Sequence, residues 1–197
     1  MFRKNGSAMR SELISQLTDF KAFNSEEEKD RINIIRYLKE SDDIFFRINT
    51  VCHMTASSWV VNKDRTKVLM CFHKIYNSWS WLGGHADGDE DLLNVALKEA
   101  KEESGLKNIV PVSKDIFSCE ILTVEGHYKK GEYVSSHLHL NVSYLLEADE
   151  NEVLVTKEDE NKGLAWFTLD EALKASTEPW FVEHIYTKLN NRLRQCR

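Results

Sequence analysis

The sequence predicts a mixed-sheet α/β domain preceded by a helical N-terminal extension. Three observations carry that reading. Apolar residues recur at helical spacing across residues 8 to 44, and from about residue 49 the chain turns to β-branched and aromatic runs separated by polar turns. Few helical stretches interrupt those runs, which favours a sheet built from strands of mixed direction. The 197 residues, 42% of them apolar and 29% charged, suffice for one domain with a full core. No internal repeat is present.

Taken in order, Met9, Leu13, Leu17 and Phe20 fall on one helical face. Ser25, followed three residues later by Glu28, predicts a capping box, and Ile32, Ile35 and Leu38 continue the period. "HMTASSWVVN" and "KVLMCFHKI", with Lys63-Asp64-Arg65-Thr66 between them, predict a hairpin. "WLGGHADGDEDLLNVALKEAKEESGL" then supplies a loop and a helix. Strands are predicted in "DIFSCEILTVEG", "SSHLHLNVSYLLEA" and the shorter "GLAWFTL", with helices over 170–175 and from about 180 to 194. This organisation divides into an extension of residues 1–45, amphipathic enough to need something to bury (by packing on the domain, forming a homodimer contact or bordering the pocket), and a domain of residues 46–197.

The bulk numbers exclude several classes. A net charge of −6 argues against a duplex nucleic-acid surface. Glu147 to Glu160 holds seven acids and one lysine, and the economical account of it is a solvated loop. Cys52, Cys71, Cys119 and Cys196 form no CxxC pair, so reduced, mostly buried thiols are expected rather than a zinc or disulfide framework. No apolar run reaches the roughly 20 residues of a membrane span. The start MFRKNGSAMR has no signal-peptide character, which predicts a cytoplasmic chain without membrane partners.

The helix after the glycine pair carries the chemistry. At about 100° per residue, Glu103 falls near +40° from Glu99 and Glu102 near −60°, while Leu93, Ala96, Leu97 and Ala100 occupy the neighbouring face. The small and apolar face would bury against a sheet with the acids on its flank. Gly105 is placed to end the helix in a left-handed conformation. Crowded carboxylates repel; on the helix alone, a solvated acidic face with Lys98 and Lys101 relieving the repulsion is one account, and a cation bound among the acids is the other. Clustered carboxylate oxygens suit Mg2+ or Mn2+.

Gly84, Glu90, Glu99, Glu102, Glu103, Gly105 and Leu106 fall at the spacing of the Nudix box, G-x5-E-x7-R-E-U-x-E-E-x-G-U, with U aliphatic. The chain therefore resembles the Nudix hydrolases, and the "GGHADGDED" lead is similar to a bacterial subgroup of them. Two departures stand out: Lys98 replaces the arginine, losing its planar fork, and Trp79-Ser80-Trp81-Leu82-Gly83-Gly84 lacks the proline of the usual lead-in. The resemblance implies an α/β/α sandwich and hydrolysis of a nucleoside diphosphate linked to another group. It implies Glu102 and Glu103 as metal ligands, Glu99 as ligand or general base, the Gly83 carbonyl as a further ligand, and Glu90 and Lys98 as braces. A later acid often joins such a set; Glu160 is the candidate here, with Glu158 next.

His137, His139 and Asn141 alternate along one predicted strand and so share a face, which is either a lining for the substrate or its phosphates or a row of side chains facing solvent or hydrogen-bonded in place. His85, inside the glycine loop beside Gly84, is placed to touch the diphosphate. His53, His73, His127 and His184 have no partner spacing. Trp59, Trp79, Trp81 and Trp166 suit core packing better than base stacking. Tyr128 lies in a Gly-His-Tyr-Lys-Lys-Gly loop placed to cover a ligand. Two alternatives share the fold: a nucleotide-binding module with weakened catalysis, supported by Lys98, and an isopentenyl-diphosphate isomerase, disfavoured by the nearly intact hydrolase box.

Overall fold

The structure, a computed structural model, describes residues 7–74, 77–129, 131–157 and 161–196. Two helices open it, α1 (Ala8–Asp19) and α2 (Ser25–Glu40). The cap of α2 lies one residue earlier than the sequence predicts. Asn24 accepts from the Glu27 N–H at 2.9 Å, and Glu27 reaches back to the Phe23 N–H, while Glu28 pairs with Arg31 at 2.7 Å. The reason is burial: Glu27 is 1% exposed and turns inward to Ser118, Lys188 and Arg192. The same turn leaves Ile32 exposed and makes Ile34 the buried residue, just as Met9 is exposed in α1 while Leu13 and Leu17 are buried.

The strands are β1 (Cys52–Asn62), β2 (Lys67–His73), β3 (Ser78–Ser80) and β4 (Leu82–His85), followed by α3 (Leu92–Ser104). Then come β5 (Val110–Pro111), β6 (Ser118–Val124), β7 (His127–Lys129), β8 (Glu132–Val134), β9 (His137–Ala148) and β10 (Asn161–Thr168). The chain ends with α4 (Leu169–Ala175) and a π-helical segment, Phe181–Tyr186, that runs into α5 (Thr187–Gln195). β1 and β2 form the predicted hairpin, with Val60 opposite Leu69. β1 also pairs with β4 and, along its whole length, in parallel with β9, in the sheet order β10-β2-β1-β9-β5. Every other described ladder is antiparallel, so the sheet is mixed.

Alternation along the strands sends apolar side chains to two cores. Met54, Ala56, Leu140 and Val142 meet α3 through Val95, Ala96 and Ala100, and the same cluster contains Leu13, Leu17, Ile34 and Leu38 of the extension. Trp59 and Val61 face the other way, toward Leu169, Tyr186, Leu189 and Leu193. Helices thus cover both faces of the sheet, an α/β/α arrangement. The acidic segment after β9 is more tied down than a solvated loop: Glu150 pairs with Lys67, and Glu152 accepts from the Lys107 N–H at 2.7 Å. Cys52, Cys71 and Cys119 are buried free thiols and Cys196 is exposed. Among the described residues no helix is long and apolar enough to cross a membrane.

Candidate active site

The acids gather where α3 lies across β4. Asp91 caps the helix by accepting from the Asn94 N–H at 3.0 Å, and Gly105 closes it at φ +71°. The inward face takes Val95, Ala96 and Ala100, which holds α3 close enough to the strand for its carboxylates to reach the backbone. Gly84 makes the closest approach. A Cβ on it would stand 2.6 Å from the Glu99 carboxyl carbon and 2.7 Å from Glu99 Oε2. Only glycine lets Glu99 lie there.

The three glutamates have different surroundings. Glu103 is 4% exposed; its Oε2 accepts from the Gly83 N–H at 2.9 Å and its Oε1 from the Asn161 amide at 3.2 Å. The Glu99 side chain is 17% exposed and that of Glu102 45%. Lys98, largely exposed, places its ammonium 4.0 Å from Glu99 Oε1 and 3.9 Å from Glu102 Oε1. It therefore sits between two acids as a shared cation, without the fork that would fix either. Glu90 is engaged elsewhere: Arg10 of α1 approaches it at 3.4 Å and the Ser7 hydroxyl donates to it. Arg10 also donates to the carbonyl of Asp42 at 3.2 Å, so the extension grips the loop that leads into α3. Glu158 and Glu160 lie outside the described residues.

The histidines form a second gathering. The β1–β9 register sets His53 beside His139, and the β1–β4 register sets His85 opposite Thr55. The His53 ring lies 5.2 Å from His85, 5.0 Å from His137 and 5.1 Å from His139, centre to centre. Because Gly84 faces α3, strand alternation turns His85 to the opposite face of the sheet, so the pleat separates it from the carboxylates. Burial, with Arg47 adding to it, pushes His85 down to about 3. Burial and the neighbouring imidazoles push His139 down to about 2. Held neutral, these two rings offer a phosphate no positive charge.

Asn141 shares their strand face but is fully buried and spent on structure. It accepts from Thr55 at 3.0 Å and Ser57 at 2.8 Å and donates to Glu120 at 3.1 Å. Trp59 is buried against Tyr186, with Trp81 nearby, as core packing requires. Tyr128, 77% exposed, lies on the separate β7–β8 hairpin. Asn161, Arg10 and His53 were not marked by any local spacing. Each meets its partner only through the tertiary fold.

The NUDIX domain matches residues 53–189 of the chain. A bis(5'-nucleosyl)-tetraphosphatase [asymmetrical] of Rattus norvegicus is 28% identical over 95 residues, 48% of this chain and 58% of that protein's length. Of solved structures, a C. elegans Ap4A hydrolase binary complex superposes with TM-score 0.52 at 17% identity, covering 73% of this chain and 96% of its own. The E. coli dihydroneopterin triphosphate pyrophosphohydrolase gives TM-score 0.50 at 14% identity, covering 72% and 92%. At those identities the structures share the fold. With the family match running from β1 through the glutamate helix to α5, the chain belongs to the NUDIX domain family.

Proposed function

We propose that the chain is a divalent-cation-dependent pyrophosphohydrolase that cleaves a nucleoside diphosphate linked to another moiety by attack of water on phosphorus. It would be of the subgroup with the GGHADGDED lead. The observation that carries this reading is the seating of Glu99 against Gly84, one helical turn from Glu102 and Glu103, within the family-matched segment. Those residues fit Mg2+ or Mn2+: the donors are hard carboxylate oxygens, and the bare Gly84 backbone leaves room for one of them at the strand. When bound, such a cation neutralises the diphosphate and makes water a better nucleophile.

The residues divide the remaining work. Glu102, the most exposed of the three, is free to turn to a cation and its diphosphate. Glu99 acts as a further ligand or as the general base. Glu103, fixed by the Gly83 N–H and Asn161, keeps the helix and β4 in register and supplies charge to the same cluster. The Gly83 carbonyl and Glu160 complete the set in this reading; Asn161, next in the chain to Glu160, already touches Glu103. Lys98 limits repulsion between Glu99 and Glu102. Residues 46–197 form the hydrolase domain and residues 1–45 brace it through Arg10.

The test is a panel of dinucleoside polyphosphates, nucleoside triphosphates, ADP-ribose and nucleotide sugars, assayed for phosphate-containing products with Mg2+ or Mn2+. The rat relative puts dinucleoside tetraphosphates first. Glu102→Gln should lower turnover by at least about 100-fold, since removing a ligand costs no less than disturbing its supports. Its exposed position should hold stability within about 0.5 kcal/mol of wild type. Wild-type turnover in a folded Glu102→Gln protein refutes the assignment.

A further inference from the structure

We propose that His53, His137 and His139 form a second metal site, built for zinc and lying on the face of the sheet opposite the glutamates. The argument starts from tautomers. His53 Nδ1 lies 2.9 Å from the Asn49 carbonyl oxygen, and His137 Nδ1 lies 2.8 Å from that of Ser135. An oxygen lone pair bonds only to an N–H, so in both rings Nδ1 carries the proton and Nε2 carries a free lone pair. A backbone carbonyl holding the far nitrogen is the support that metal-binding histidines use to fix ring orientation.

The freed nitrogens converge. His53 is 4% exposed, and its Nε2 is buried without a hydrogen-bond partner. His137 Nε2 lies 3.2 Å from His139 Nε2, so the His139 N–H donates to the His137 lone pair and its proton shifts to Nδ1 when a metal takes that place. Two nitrogens bound to one zinc at the usual distance stand about 3.3 Å apart on a tetrahedral edge. One ring nitrogen from each of the three residues lies within 4.8 Å of the others, so relative side-chain movement of up to about 1.5 Å closes the remaining edges. Ligands made only of imidazole nitrogen select zinc and its transition-metal neighbours over magnesium.

Position adds preorganisation. His53 and His139 are direct neighbours in the parallel β1–β9 ladder, so two of the ligands stand on the most extensively paired strands of the sheet. Three ligands leave a fourth position, beside which the His85 ring sits 4.8 Å from that of His139.

The experiment uses the full chain, stripped with a chelator and titrated with Zn2+ alone by calorimetry in excess Mg2+, with Co2+ absorption as the second readout. One Zn2+ per chain should bind, raise the melting temperature, and give the intense visible bands of four-coordinate Co2+. His137→Gln and His53→Gln should each weaken binding by at least about 100-fold. Glu102→Gln should leave it unchanged. Should His53→Gln fail to fold, the half-buried His137→Gln and the Co2+ spectrum of the unaltered chain decide. No Zn2+ uptake at micromolar concentration, uptake undiminished by His137→Gln, uptake lost with Glu102→Gln, or six-coordinate Co2+ bands overturn the proposal and leave a simple His137–His139 hydrogen bond.

Discussion

Adding one methyl group at Gly84 should separate activity from stability. The new Cβ would lie 2.6 Å from Glu99 Cδ, 2.7 Å from Oε2 and 2.9 Å from Cγ. Non-bonded carbons rest at about 3.5–4.0 Å, so the carboxyl group must retreat by about 1 Å. It can do so, because the atoms in the way are the far end of a flexible side chain. The cost in stability should stay near 1 kcal/mol, the low end for overpacking. A reacting group misplaced by about 1 Å, however, costs on the order of 100-fold in rate. Gly83→Ala is the matched control. Its Cβ would meet Ala56 O at 2.6 Å and Ser57 Cα at 2.7 Å, which are backbone atoms of β1 and cannot swing aside. That variant should lose about 3 kcal/mol, the upper end of the same range. Urea denaturation of both proteins, with turnover on the best substrate of the panel, checks the pair. Wild-type turnover in Gly84→Ala, or equal destabilisation by the two substitutions, refutes the reasoning.

Other outcomes follow from the same contacts. Arg10→Met strips the guanidinium from Glu90 and from the Asp42 carbonyl, and should cost about 2 kcal/mol in urea denaturation. It should also lower turnover by loosening the loop before α3. Lys188, 5% exposed, lies 2.9 Å from Glu120 and 3.1 Å from Glu27, both buried. Lys188→Met leaves buried Glu120 without its cation and Glu27 with Arg192 alone, and should cost about 3–5 kcal/mol by the same measurement. Burial lowers the affinity of Lys188 for its proton, but Glu120 and Glu27 together outweigh it and raise the group above its ordinary value. Its contribution is therefore complete below about pH 10.4 and is lost as pH rises through the higher folded value, so alkaline denaturation should begin there and be blunted in Lys188→Met.

The glutamate helix was legible because the signals that mark it are local. Its Gly105 stop and its acid spacing lie within residues 99–105; the buried face is turned slightly from the predicted one, with Leu92 and Val95 fully buried where Leu93 and Leu97 are only partly so. The long strands β1, β2, β6, β9 and β10 were legible for the same reason, since composition and alternation are properties of short windows. By contrast, β4 and the β7–β8 hairpin, both read from the sequence as loops, owe their form to pairing with partner strands. What the sequence withheld were meetings across the fold. Asn161 reaches Glu103 over 58 residues and Arg10 reaches Glu90 over 80. His53 has no spacing to mark it, because its partners arrive through the β1–β9 register and the turn of β4. The shifted cap of α2 belongs to the same class, since the demand on Glu27 comes from Ser118, Lys188 and Arg192.

The parallel β1–β9 ladder also sets a timetable for synthesis. Strands that run the same way cannot be joined by a tight turn, and here the return path takes the chain from residue 62 to residue 137. While the chain leaves the ribosome, β1 can fold back on β2 and β4, but its other long edge stays open until residues up to 148 have emerged. Such distant pairing slows folding and leaves a sticky, half-finished intermediate. Truncation inside β9 should therefore yield an aggregating product, and the nascent chain has most need of a chaperone in that interval.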